Sequence, residues 1–129
     1  MKTAICTFLL ISIFVISCKK DDAGEVAFEG GITIANPNAG DTISGTQTIV
    51  TGSITGNMDL HGYHIVLYKV SDNSILAETE VDHHSSSITI NDTLVYTVSQ
   101  LTPVRLLIES AYNHEGDMTT KEVNYVIQP

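Results

Sequence analysis

From Gly31 to Gln128 the chain is written in short β-branched runs separated by turn residues, and no window holds a sustained helical period. That pattern excludes helix bundles and alternating α/β folds, and it predicts an all-β chain. The candidate strands are Ile32–Ala35, Thr48–Ile54, Tyr63–Val70, Ile75–Asp82, Ser87–Leu94, Val104–Tyr112 and Thr120–Ile127. Between them stand stretches such as Asn-Pro-Asn-Ala-Gly-Asp, Ser-Asp-Asn-Ser, His-Ser-Ser and His-Glu-Gly-Asp, which carry the residues that turns demand.

Seven segments over residues 31–128 are the number expected of an immunoglobulin-like or fibronectin type III-like β-sandwich. One hairpin is specified closely enough to set its register. Tyr63, Ile65 and Leu67 alternate as an inward set, with Ile75, Ala77, Thr79 and Val81 inward on the next strand. A two-residue loop would set Leu67 against Glu78 and mix the faces. A three-residue loop Ser71-Asp72-Asn73, with Asn73 left-handed, pairs Leu67 with Ala77 and Ile65 with Thr79.

The N-terminal segment reads as an address. Lys2 supplies a positive end, and the apolar run Ala4–Ile16 is too short to span a bilayer as a helix but suits a secretory signal. Val15-Ile16-Ser17-Cys18 resembles the lipobox of bacterial lipoproteins. The resemblance implies a signal peptide over residues 1–17 and a lipid on Cys18, which would become the first residue of the exported chain. Lys19-Lys20-Asp21-Asp22 is similar to the export signal of Bacteroidota surface lipoproteins, which implies an outer-membrane, cell-surface location. Residues 18–30 then form the lipidated cysteine and a flexible tether. Of the two cysteines, Cys6 leaves with the signal and Cys18 takes the lipid, so the domain folds without a disulfide.

Two further stretches carry a resemblance. Ile32-Thr33-Ile34, Pro37 and Gly40-Asp41-Thr42-Ile43-Ser44-Gly45 look like the opening of bacterial immunoglobulin-like domains. Ala111-Tyr112-Asn113-His114-Glu115-Gly116-Asp117 looks like their last hairpin, with Asn113 and Asp117 exchanged relative to the usual Asp and Asn. With His61 to Leu67 and Asp82-His83-His84, the chain resembles small His-containing surface lipoproteins of Bacteroidota, a family without an established activity.

The five histidines are the main chemical signal. If successive strands reverse direction, His61, His64, His83, His84 and His114 fall at one end of the sandwich. In the chosen register His61 lies opposite His83, and His64 lies beside Glu80. Imidazoles with Asp82 form a donor set for Zn²⁺, Cu²⁺ or Ni²⁺, although their spacing is no recognised metal motif. Ser85, Ser86 and Ser87 beside two histidines and Asp82 supply the residue types of a hydrolase triad. Sequence neighbours seldom supply its geometry, and the reading here is non-catalytic.

Six Lys and Arg against fifteen Asp and Glu give a net charge of −9, which disfavours nucleic acid as a partner. Asp41-Thr42-Ile43 and Asp92-Thr93-Leu94 resemble Bacteroidota O-glycosylation acceptors, making Thr42 and Thr93 candidates. Val66, Tyr68 and Val70 alternate with the inward set, and together with Leu76 they are expected to form an apolar partner patch on an outer sheet face. The functional expectation is a surface-anchored binding module with a metal or small-ligand site at its histidine end. The alternative is an accessory subunit of an outer-membrane complex, docked through that sheet face.

Overall fold

The computed structural model describes residues 26–129, so the expected signal peptide, Cys18 and the expected tether up to residue 25 lie outside the described residues. The described chain is all-β, with strands β1 (Gly30–Asn36), β2 (Thr42–Ser44), β3 (Gln47–Lys69), β4 (Ile75–Val95), β5 (Thr102–Ala111) and β6 (Met118–Gln128). They pair in the order β1-β3-β5-β6-β2, with β4 on β3, and the sheet curls over on itself into a sandwich-like body.

The curling comes from two long strands that each serve both layers. The first half of β3, Gln47–Thr55, lies between β1 and the last part of β4. Its second half, Leu60–Lys69, lies between the first part of β4 and β5. Strand β5 pairs with β6, and β2 runs parallel to β6 at the edge. Side chains from the two layers fill one core, where Val50, Ile54, Ile90 and Leu94 meet Ile65, Leu67, Leu106, Ile108 and Ile127. Polar groups also tie the layers. Tyr125 donates its hydroxyl to Thr48 Oγ1 (3.1 Å), itself hydrogen-bonded to the Tyr96 hydroxyl at 2.8 Å. The Tyr63 hydroxyl donates to Asp92 Oδ2 at 2.6 Å.

The seven expected segments become six strands among the described residues. Thr48–Ile54 and Tyr63–Val70 fuse into β3, and Ile75–Asp82 and Ser87–Leu94 fuse into β4, because the linking Thr, Ser and His residues stay extended. The bend is made by irregular pairing between Thr55 and Leu60 and between His61 and Tyr63. Strand β2 has only three residues, too few to show alternation, and its pairing with β6 comes from the far end of the chain.

Strands β3 and β4 keep the expected register from Tyr63 to Leu67, but the loop between them has four residues, 70–73, rather than the expected three, because Lys69 donates its amide to the Ser74 carbonyl. Leu67 faces Ala77, Ile65 faces Thr79, and Asn73 has a φ of 55°. Asp72 Oδ1 accepts from the Ser74 hydroxyl (2.6 Å) and amide (3.0 Å), and these bonds hold its carboxyl below the usual range. Next to the turn a bulge departs from strict alternation, since Tyr68 faces Ile75 while Leu67 faces Ala77. Leu76 is the extra residue and packs on the core, while Ile75, expected inward, is 53% exposed.

Candidate functional site

The end of the molecule away from the Ser71–Ser74 turn gathers three histidines from three separate stretches. His61 comes from the bend of β3, His84 from the bend of β4, and His114 from the loop between β5 and β6. The His61 ring lies between the other two, with centroids 4.7 Å from His84 and 4.5 Å from His114, both edge to face. The backbone at the bend makes this possible. Leu60 faces Ser85 and His61 faces His84, but Tyr63 already faces Val81, so Gly62 alone opposes both Asp82 and His83. Gly62 has a φ of 83°, and a Cβ there would overlap the Val81 carbonyl. The Ser110 hydroxyl, fully buried, donates to the Gly62 carbonyl at 2.6 Å and fastens the bend to β5.

This bulge corrects the expected pairing of His61 with His83, because the partner is His84. His83 is exposed opposite Gly62, outside the ring contacts of the other three. Asp82 Oδ1 lies 3.5 Å from His84 Nε2. His64 stands apart on the outer sheet face, paired across the strands with Glu80 on one side and Glu109 on the other. Its Nε2 lies 3.3 Å from Glu78 Oε2. The six expected ligand residues therefore divide into a contact group (His61, His84, His114 with Asp82), a separate His64–glutamate group, and His83.

A cleft of about 270 Å³ joins the two groups, lined by His61, His64, Glu80, Asp82, Glu109 and Met118 among others. It is just below the usual size for organic ligands, roughly 300–1,000 Å³, and suits an ion or a small polar molecule. Among the described residues no three His, Cys, Asp or Glu side chains stand where they could hold a metal ion together. The rings pack on one another, so ligation at this trio requires His84 and His114, both exposed, to turn their nitrogens toward a common point. Glu109 was not anticipated. Its position beside His64 follows from alternation along β5, once β5 is known to pair with β3.

The serines beside these histidines are engaged locally. Ser85 Oγ donates to the Ser87 carbonyl (2.9 Å) and accepts from the Ser87 amide (3.2 Å) within β4. The expected apolar patch is also rearranged. Val66 is 2% exposed and Leu76 turns to the core. Tyr68 is half-buried with the Arg105 guanidinium 5.0 Å over its ring, which leaves Val70, 50% exposed, as the open member. Val70 borders a mainly apolar groove with Pro103 and Val126. Thr42 and Thr93 are both exposed, in β2 and β4; Thr42 lies in a strand rather than the expected loop.

The segment before β1 is fastened at the histidine end. Phe28 stacks on Tyr112 with centroids 4.1 Å apart and planes 10° from parallel. Asn57 accepts from the Glu29 amide (3.0 Å), donates through Nδ2 to the Ala27 carbonyl (2.9 Å), and donates its own amide to the Glu29 carbonyl (2.9 Å). Ala27, Phe28 and Glu29, expected to belong to the tether, are therefore fastened to the fold. Comparison with protein-family models and with curated proteins finds no match for this chain.

Proposed function

We propose that the protein is a non-catalytic binding module of immunoglobulin-like or fibronectin type III-like form, lipid-anchored through Cys18 on the outer membrane of a Bacteroidota-type cell. Its binding end is the histidine end. The observation that carries this reading is the contact of His61, His84 and His114, drawn from two strand bends and a loop around a bulge that only glycine permits. Neutral imidazoles beside carboxylates suit Zn²⁺, Cu²⁺ or Ni²⁺, and the absence of cysteine from residues 26–129 leaves nitrogen and oxygen donors alone. Asp82 would orient His84 as an outer-shell carboxylate does.

Calorimetric titration of the purified protein with each metal in turn tests the reading. The expected result is uptake of about one ion per chain at neutral pH, released toward pH 5 as imidazoles in general protonate. Replacing His61, His84 or His114 with Ala should abolish uptake, while replacing His83 should not. Absence of binding heat with all three metals rejects a metal as the ligand.

The reading as an accessory subunit rests on a different surface, the groove of about 470 Å³ beside Val70, Pro103 and Val126. Co-purification with a membrane partner that is lost on Val70→Asp supports it, and unchanged co-purification rejects this groove as the dock.

A further inference from the structure

We infer that the histidine end is the end held against the anchoring bilayer, and that the Ser71–Ser74 turn and the Val70 groove face away from it. The inference rests on the proposed lipidation of Cys18 and adds an orientation that the lipid alone does not supply.

Among the described residues the chain enters the fold at the histidine end. Phe28 is clamped on Tyr112, two residues before His114, and Asn57, four residues before His61, ties down Ala27 and Glu29 through three hydrogen bonds. A Cβ on Gly56 would strike the Phe28 ring, so the bend of β3 is shaped to receive it. From Cys18 to Val26 is eight chain steps, and a fully extended chain covers about 28 Å in that distance. Strand β5, ten residues long, runs from the turn end to the histidine end and measures about 30 Å at about 3.3 Å per residue. The tether is therefore no longer than the domain it carries. It can bring the histidine end to the headgroups, and it cannot bring the opposite end there without leading the chain back along the whole body.

Two consequences follow for the site. A ligand of the histidines is exchanged in the layer next to the membrane surface. A soluble macromolecule approaching from the medium meets the turn end first.

Energy transfer to a labelled membrane tests the orientation. The lipid-bearing protein is prepared as Glu115→Cys and as Ser71→Cys, both at exposed positions, each with a donor dye. It is reconstituted into phosphatidylcholine vesicles containing rhodamine-labelled phosphatidylethanolamine. Transfer from the Glu115→Cys label is expected to be about twofold higher than from the Ser71→Cys label, given a separation of about 30 Å along the strands. Equal or reversed transfer from protein still bound to the vesicles overturns the orientation while leaving the anchor standing. Protein whose vesicle attachment is unchanged by Cys18→Ala overturns the anchor, and the orientation falls with it.

Discussion

Strands β3 and β4 pair in regular register from Gln47 to Thr55, and beyond Thr55 the remaining pairing falls into two halves that differ in kind. Between Tyr63 and Leu67 every residue of β3 has its partner in order, as far as the Leu76 bulge beside the turn. Between Thr55 and Tyr63 the register shifts twice within a few residues. The regular half buries Ile65 and Leu67 completely, so a slip of one residue would expose them and is heavily penalised. The irregular half buries Leu60 but takes its shape from particular local bonds: the Ser110–Gly62 hydrogen bond, the Asn57 clasp and the Phe28–Tyr112 stack. Hydrophobic burial fixes the frame, and glycine conformations with single hydrogen bonds place the histidines on it.

The comparison can be broken most forcefully in the core. Leu67→Ala should cost about 2–5 kcal/mol in urea unfolding, and both halves should lose amide protection together. Loss confined to the turn half would show that the two do not unfold as one unit. Gly62→Ala should cost about 1–3 kcal/mol through its strained φ and the clash with Val81. In NMR spectra it should separate the imidazole signals of His61 and His84 from their wild-type positions, with the Ser71–Ser74 amides unmoved.

The tyrosines that join the layers give a smaller effect with a defined sign. Burial pushes the Tyr125 hydroxyl up from 10.0 to about 12, opposed by its Thr48 hydrogen bond and aided by nearby Tyr96. Burial also raises Tyr63, reinforced by the hydrogen bond to Asp92 and by that carboxylate's charge. A raised phenol keeps its proton longer in the folded state than in the unfolded chain. Its contribution is therefore whole below pH 10.0 and is lost as pH rises through about 12. Stability measured against pH should fall over that window, and Tyr125→Phe should flatten part of the fall. Last in size, Asn73→Gly should leave stability within about 1 kcal/mol of wild type, because the left-handed site suits glycine but the unfolded chain gains freedom.

Sequence made the regular half legible because alternation and turn chemistry agree there. Tyr63, Ile65 and Leu67 inward, with Asn73 left-handed, is the one arrangement that keeps the glutamates of β4 outside. The bend was legible only in part. His61, His84 and His114 do meet, but the His61 partner shifts by one residue because nothing local announces that Gly62 will oppose two residues. His64 keeps its place beside Glu80 and proves to belong to another group. Val66 lies on the outward phase of β3 and is nonetheless buried, since alternation reports which way a side chain points and not what its neighbours cover. The Phe28–Tyr112 clasp joins residues far apart in the chain, and no periodicity encodes such a contact.

Among the described residues strand β4 pairs with β3 alone, so one flank of its 21 residues offers backbone donors and acceptors to any extended chain that arrives. Along it stand the exposed Glu78, Glu80 and Asp82, all acids. Two copies brought flank to flank would set these carboxylates against one another. At this edge two copies would repel rather than zip together.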